Sequence, residues 1–430
     1  MPPSVRDWLP DGHLAWFVLD VVERLDLEAI YAVYRASGCG RPAHDPRMMV
    51  ALLLYSYAVG ERSSRRIERR CVEDVAFRVI VANQTPDHTT IARFRARHAQ
   101  ALADLFVEVL ALCQRAGMVR VGTVAIDGTK MAANAGLSSN RTYSAIRAEI
   151  EQILAEADAV DAAEDELYGE ARGDELPAEL ADPVTRRERL ERAARELEAE
   201  HAARQAEYEG RLRRRREYRE RTGKGLVGRK PHPPQDAQLL ESKRNVTDPD
   251  SRIMDLRGSL VQGYNAQAVV GKGQVIIAAG VTNSPNDSNQ LRPMLQAAHA
   301  NLERVGHDGR IKCALADGGY WHHDQIAQVR ANKTIVIVPT SDPHRTRART
   351  LGPRQGPEAD RINRMLATEA GRRLYRRRAG MVEPIYAQTK HNRGIRTFTR
   401  RGLAAVTAEW QLITTAHNLL RLFGHQPVTA

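Results

Sequence analysis

The sequence predicts an α/β protein with an all-helical N-terminal region and a charged helical insertion. Three observations lead there. Apolar residues recur at helical spacing through residues 13–115. After Val119, short β-branched runs alternate with helical spacing. Between the first such run and the next lies a stretch of different composition, acidic over 145–182 and Arg/Glu-rich over 186–221.

In the N-terminal region Leu14, Phe17, Val18, Val21, Val22 and Leu25 form one apolar stripe, and Met48 to Tyr55 forms a second. Asp45-Pro46 before the second is a helix start, with Asp as cap and Pro in the first turn. A third helix is expected over Ser63–Cys71. A fourth is expected to begin at Asp87-His88-Thr89-Thr90 and to run unbroken to Gly117, whose freedom at positive φ suits a C-terminus. The run VRVGTVAIDGT then reads as a strand and tight turn. Further strands are expected at Tyr264–Val270, Gln274–Val281, Ile311–Ala316 and Thr334–Pro339, with a helix over Leu291–Val305. The insertion reads as a solvated helix or helical hairpin, supported by Arg/Glu pairs at helical spacing. Its Leu190 and Leu197 stand one heptad apart without a continuing seam, and GKGLVGRKPHPPQ reads as a loop. The expected domains are 1–117 (helical), 118–140 with 241–430 (α/β), and 141–240 (insertion).

Composition narrows the function. The chain has 430 residues, enough for two or three domains. Lys plus Arg exceeds Asp plus Glu by 64 to 53, a net charge of +11 that favours a polyanionic partner. The four cysteines (Cys39, Cys71, Cys113, Cys313) form no CxxC pair, which argues against a disulfide framework or a cysteine-built zinc site. No apolar run approaches the ~20 residues of a membrane span, and the first residues lack a signal-peptide plan. The expectation is an intracellular protein with no membrane partner. Aromatic residues are only 5% of the chain, too sparse for an RNA-stacking platform.

Two carboxylates stand out. Asp127 ends the first strand in VAIDGTK, and Asp317 ends a later one in CALADGGY. Each has a plain reading as the Asp of an Asp-Gly turn. Together, at the ends of two apolar strands, they also suit a hard-oxygen site for Mg²⁺ or Mn²⁺, completed by a third carboxylate. Glu369, Glu383 and Glu409 are the candidates. Glu383 has the most basic surroundings, which suits a metal site acting on phosphate, and it reads equally as a surface glutamate beside arginines. Pro384 directly after it argues against helical geometry at Glu383 unless a helix begins there. TPDHTTIARFRARH would present Thr89, Thr90, Arg93, Arg95 and Arg97 to DNA, or else is an ordinary amphipathic helix around Ile91 and Phe94. Arg213–Arg216 reads as a solvated face or a DNA-backbone contact. His322 and His323 are adjacent and would diverge on a helix, so joint chelation is not expected. Asp287, in SPNDSNQLRPML, reads as a helix cap.

These blocks, in this order, resemble the DDE transposases of bacterial insertion sequences. The resemblance runs from LPDGHLAWFVLDVVERLDL and DPRMMVALLLYSYAVGERSSRRIERRC through TPDHTTIARFRARH, VAIDGTKMAANA, TDPDSRIM, GYNAQAVV and ALADGGYW to VEPIYAQTKHNRGIRTFTRRG. It implies a ribonuclease-H-like mixed sheet with flanking helices, interrupted by the insertion. It implies that Asp127, Asp317 and Glu383 hold two Mg²⁺ ions, with Mn²⁺ as a substitute. It implies DNA contacts from Lys390, Arg378, Tyr375 and Lys130, and from Thr89, Arg93, Arg95 and Arg97. Tyr375, Arg378, Glu383 and Lys390 are spaced Tyr-x2-Arg-x4-Glu-x6-Lys, one residue longer between Arg and Glu than in many relatives. The implied partners are the transposon ends and target DNA, bound by a homodimer in the cytoplasm at the nucleoid. The implied reaction is strand cleavage followed by strand transfer. Rival readings are a nuclease of the same fold and a DNA-binding protein that no longer cuts.

Overall fold

The computed structural model describes residues 5–34, 43–168, 181–225, 230–256, 258–340 and 355–425. Cys39 and part of the Gly/Pro-rich stretch after Thr222 lie outside them. The chain forms two compact units. One comprises Met1–Asn134, Met254–Gly258 and Gly263–Ala430, the other Ala135–Ile253 and Ser259–Gln262.

The first unit opens with seven helices: α1 (Leu14–Val22), α2 (Glu28–Tyr31), α3 (Pro46–Ala58), α4 (Ser64–Glu73), α5 (Val75–Ile80), α6 (His88–Arg97) and α7 (Ala99–Arg115). Asp45 and the Asp87 segment cap as expected, and Ser63, expected to be the first residue of its helix, is the cap instead. Asp45 accepts from Arg47 N at 2.7 Å, Ser63 from Arg66 N at 3.4 Å and Asp87 from Thr90 N at 2.8 Å. The long helix expected from Asp87 to Gly117 is instead two helices that part at His98. That residue leaves helical geometry (φ −104°, ψ 24°) and is buried, its ring stacked on Tyr34 and against Phe94. Aromatic packing outweighs helix continuation at this point.

The sheet strands are β1 (Thr123–Ala132), β2 (Asn140–Thr142), β3 (Lys243–Asn245), β4 (Arg252–Leu256), β5 (Ser259–Val270), β6 (Ile276–Thr282), β7 (Cys313–Leu315) and β8 (Ile335–Ile337). The main sheet runs β6-β5-β1-β7-β8, and β4 also pairs with β5. β5 is antiparallel to β1 and β6, whereas β7 and β8 run parallel to β1. This is the mixed sheet of a ribonuclease-H-like α/β fold. The remaining helices are α8 (Tyr143–Tyr168), α9 (Ala181–Thr222), α10 (Asp236–Glu241), α11 (Leu291–Arg304), α12 (His323–Ala331), α13 (Pro357–Ala367), α14 (Glu369–Ala387) and α15 (Leu403–Phe423). α15 packs on β6, α7 and α3. Residues 1–117 therefore share one compact unit with the sheet, and position 117 is not a break in packing.

α15 is held by polar as well as apolar contacts. The buried amide of Asn418 donates to Ile276 O and accepts from Ile276 N, both at 2.8 Å, so it completes the outer edge of β6 as a neighbouring strand would. Glu409 is also buried. It pairs with Arg62 Nη1 at 2.9 Å and accepts from Thr399 N, Thr399 Oγ1 and Arg400 N.

The second unit contains α8, α9, α10 and the β2–β3 ribbon. Ile146 and Ile150 of α8 meet Leu190, Ala193, Ala194 and Leu197 of α9 in one apolar cluster. The heptad pair Leu190 and Leu197 thus closes a helical hairpin. Beyond Glu200 the helix carries Arg213–Arg216, which are exposed or half-exposed.

Removing one member of a buried ion pair leaves the other charge without compensation. Glu409→Ala is expected to lower unfolding free energy by about 3–5 kcal/mol. Urea denaturation measures this, and a loss below about 1 kcal/mol would show the pair to be dispensable.

Candidate active site

β1 alternates its side chains between the two faces of the sheet. Asp127 and Thr129 point to the face covered by α14, and Gly128 and Lys130 point to the other. Asp317 follows β7, the parallel neighbour of β1, and its carboxylate accepts from Gly319 N at 2.8 Å at the start of a short turn. The two aspartates are close enough that the charge on Asp317 acts on Asp127. Burial raises the pKa of Asp127 to about 6, Arg378 opposes that rise, and Asp317 adds to it. Arg378 Nη1 lies 2.9 Å from Asp127 Oδ2, with both side chains less than a fifth exposed.

Three more side chains of the α14 segment converge here. Tyr375 hydrogen-bonds Arg378, and burial raises its pKa. The hydroxyl of Tyr386 donates to Asp127 O at 2.5 Å. Lys390 Nζ donates to Thr129 Oγ1 at 2.6 Å and to Lys130 O at 2.7 Å. Lys390 sits in a π turn, Gln388–Asn392, that widens the end of α14. The expectation that Pro384 would exclude helix at Glu383 is corrected, because both lie inside α14. The carbonyl that Pro384 leaves without its helical partner, Gly380 O, accepts from Gln274 Nε2 at 3.5 Å.

Of the three candidate glutamates, Glu409 is consumed by the structural contacts given above. Glu369 is exposed in the first turn of α14. Glu383 is exposed as well, on a stripe that includes Arg372 and Arg376 at helical spacing. Among the described residues no three His, Cys, Asp or Glu side chains are gathered so as to enclose a metal ion. The donor chemistry still suits a hard cation. Two carboxylates lie near one another, and the buried one, Asp127, has its charge balanced by a guanidinium.

Residues 3–97 match the family model described as Transposase domain (DUF772), and residues 228–419 match the one described as Transposase DDE domain. The chain belongs to the DDE transposases of insertion sequences. The matches together account for well over half of the chain, and the second includes Asp317 and Glu383. No curated protein and no solved structure matches it.

The residues of this transposase expected to meet DNA divide into two groups. Thr89 and Arg93 are exposed on α6. Arg95 is turned inward, donating to Arg62 O, Tyr57 Oη and Ser64 Oγ. Arg97 is exposed, donates to Val33 O and lies over the Tyr34 ring. Lys130 faces Asp287 across 3.7 Å. Sequence reasoning missed Tyr386 and assigned Asp287 only a cap. A tyrosine three residues after Glu383 was the available signal for Tyr386, since positions three apart on a helix are neighbours. His322 caps α12 by accepting from Gln325 N at 3.4 Å, and His323 is exposed. Among the described residues no helix is long and apolar enough to cross a membrane.

The raised pKa of Asp127 has a consequence for stability. The folded metal-free protein holds this proton more tightly than the unfolded chain, whose value is near 3.8. Below that pH the group costs nothing, the cost grows as pH rises toward about 6, and it is complete above. Asp127→Asn is therefore expected to stabilise the metal-free protein by about 1–3 kcal/mol at neutral pH and by little at acid pH. Urea unfolding at both pH values measures it. A less stable variant at neutral pH would contradict the electrostatic account.

Proposed function

We propose that this transposase binds the terminal inverted repeats of its element in the cytoplasm, cuts the strands at those ends and joins the freed 3′-hydroxyls to target DNA. The observation that carries this is the closeness of desolvated Asp127 on β1 to Asp317 just beyond the parallel strand β7, with Arg378 as counter-charge. Asp127, Asp317 and Glu383 would hold two Mg²⁺ ions, or Mn²⁺ in their place. When bound, these supply Lewis-acid activation of the attacking oxygen and stabilise charge on the leaving one.

The chain's own groups position the DNA. Arg378 balances Asp127 in the metal-free protein, and a DNA phosphate is its natural alternative partner. Tyr375 orients that guanidinium. Lys390 braces β1 beside Asp127 and keeps a positive charge near the scissile phosphate. Thr89, Arg93 and Arg97 on α6 are the proposed contacts to the repeats, and Lys130 is a proposed backbone contact. Cutting two ends together calls for at least a homodimer on paired ends.

One observation favours a second reading. Glu383 is exposed and no three-ligand group is assembled among the described residues, as in a transposase-derived DNA-binding protein that does not cut. Cleavage of flanking DNA ends with Mg²⁺, Mn²⁺, Ca²⁺ or EDTA separates the two. The expected outcome is metal-dependent 3′-hydroxyl ends, lost in Asp127→Asn and Glu383→Gln while end binding persists. Loss in Asp127→Asn alone would move the third ligand away from Glu383. Tight binding without cutting in any metal would establish the second reading. Cut ends that never join a target plasmid would mark a nuclease.

A further inference from the structure

Asp287 lies on the face of the sheet opposite α14. Its Oδ1 accepts from Asn265 Nδ2 and Gln267 Nε2, each at 2.7 Å, and its Oδ2 is 3.7 Å from Lys130 Nζ. Asn265 and Gln267 are the β5 residues paired with Lys130 and Gly128 of β1. Gln267 Oε1 in turn accepts the hydroxyl of buried Tyr320. Tyr320 closes the turn Gly318–Tyr320 that begins at Asp317. One carboxylate therefore ties together the strand bearing Asp127, its antiparallel neighbour and the turn bearing Asp317.

Two further observations show how closely this knot is fitted. A Cβ on Gly128 would stand 2.2 Å from Gln267 Nε2, 2.7 Å from Asp287 Oδ1 and 2.8 Å from Asn265 Oδ1. A side chain there would push the ends of these three side chains apart, so the cluster as built depends on a glycine immediately after Asp127. The amide of Asn265 spends its donors on Asp287 and Ser284 O, while its buried Oδ1 has no hydrogen-bond partner among the described residues. An anion that orients a neighbouring amide at the expense of that amide's own acceptor is a fixed part of the site rather than a loop cap.

We propose that Asp287 is a positioning residue that sets the separation of Asp127 and Asp317 through Gln267, Asn265 and Tyr320. The inference rests on the reading that those two aspartates hold metal ions. Mg²⁺ and Mn²⁺ sites are sensitive to such supporting contacts because hard-cation geometry tolerates little displacement of the ligands.

The test is Mn²⁺ binding to the full-length protein without DNA, read by electron paramagnetic resonance, beside end-DNA affinity. Asp287→Ala is expected to weaken Mn²⁺ binding by about tenfold or more, with DNA affinity unchanged. Asp287→Asn keeps an oxygen that both amides can reach and is expected to stay within about threefold of wild type. Tyr320→Phe removes only the hydroxyl tie and is expected to weaken Mn²⁺ binding about threefold, which serves if Asp287→Ala fails to fold. Wild-type Mn²⁺ affinity in Asp287→Ala, or in Tyr320→Phe, overturns the proposal. Equal damage from Asp287→Asn and Asp287→Ala overturns it too, since charge rather than the tie would then be what matters. Asp127→Asn separates the two ideas. If it loses Mn²⁺ while Asp287→Ala does not, only the positioning role falls. If it binds Mn²⁺ normally, the metal reading falls and takes this proposal with it.

Discussion

Asp127 must carry a negative charge in a place that water has largely left, and the surroundings of β1 answer to that requirement. Burial raises its pKa, and Asp317 raises it further. Arg378 supplies the opposing charge from one face. The same helix anchors itself to the strand backbone at two points, Tyr386 on Asp127 O and Lys390 on Lys130 O. From the other face the Asp287 cluster presses on Gly128. A strand clamped from both sides keeps its carboxylate in place at the cost of stability, as active sites commonly do.

The clamp is in turn fixed to the rest of the unit through α15. Trp410 is buried and donates its indole N–H at 2.9 Å to the backbone oxygen of Gln267, whose side chain belongs to the Asp287 cluster. One residue earlier in the chain, Glu409 gathers Arg62 from the N-terminal helices and the backbone of Thr399 and Arg400. Arg393 adds a third tie, donating to Ile413 O and Thr389 Oγ1. The N-terminal helices are thus bonded through α15 to the sheet that carries Asp127.

Much of this was legible from residues alone. The strands were readable because β-branched runs have a short period, but the tight turn expected at Asp127-Gly128 is absent: β1 continues to Ala132 because β5 pairs with it along that length. The capping residues were readable because Asp and Ser need only a local backbone N–H. What failed was whatever depends on distant partners. His98 breaks a helix because Tyr34 lies against it, 64 positions earlier in sequence. Pro384 stays inside α14, and Gln274, 106 positions away, reaches the carbonyl it leaves bare. Asp287 looked like a cap because its neighbours Ser and Asn are turn residues, and nothing local announces Asn265 or Gln267. Glu409 stood as a candidate behind Glu383, with less basic surroundings, and its burial against Arg62 and Thr399 removes it.

The positive surplus of the chain is a poorer guide to DNA than it first looks. Several of its arginines are internal. Arg244 is buried and meets Glu200 at 2.8 Å, in the second unit. Arg393 is buried, its pKa lowered to about 10 by burial and by Arg62. Arg95 is spent on the backbone and hydroxyls around it. A guanidinium so engaged would have to abandon several hydrogen bonds to reach a phosphate, and the released counter-ion gain from one contact does not compensate for burying the partners it leaves behind. Arg378 differs from these, because it pairs with Asp127, the carboxylate proposed above to hold a metal ion. On the proposed reading a DNA phosphate would take Arg378 and a metal ion would take Asp127, so neither charge would be left without a partner. It is therefore the arginine of α14 whose release from its partner would change the surroundings of Asp127 most directly.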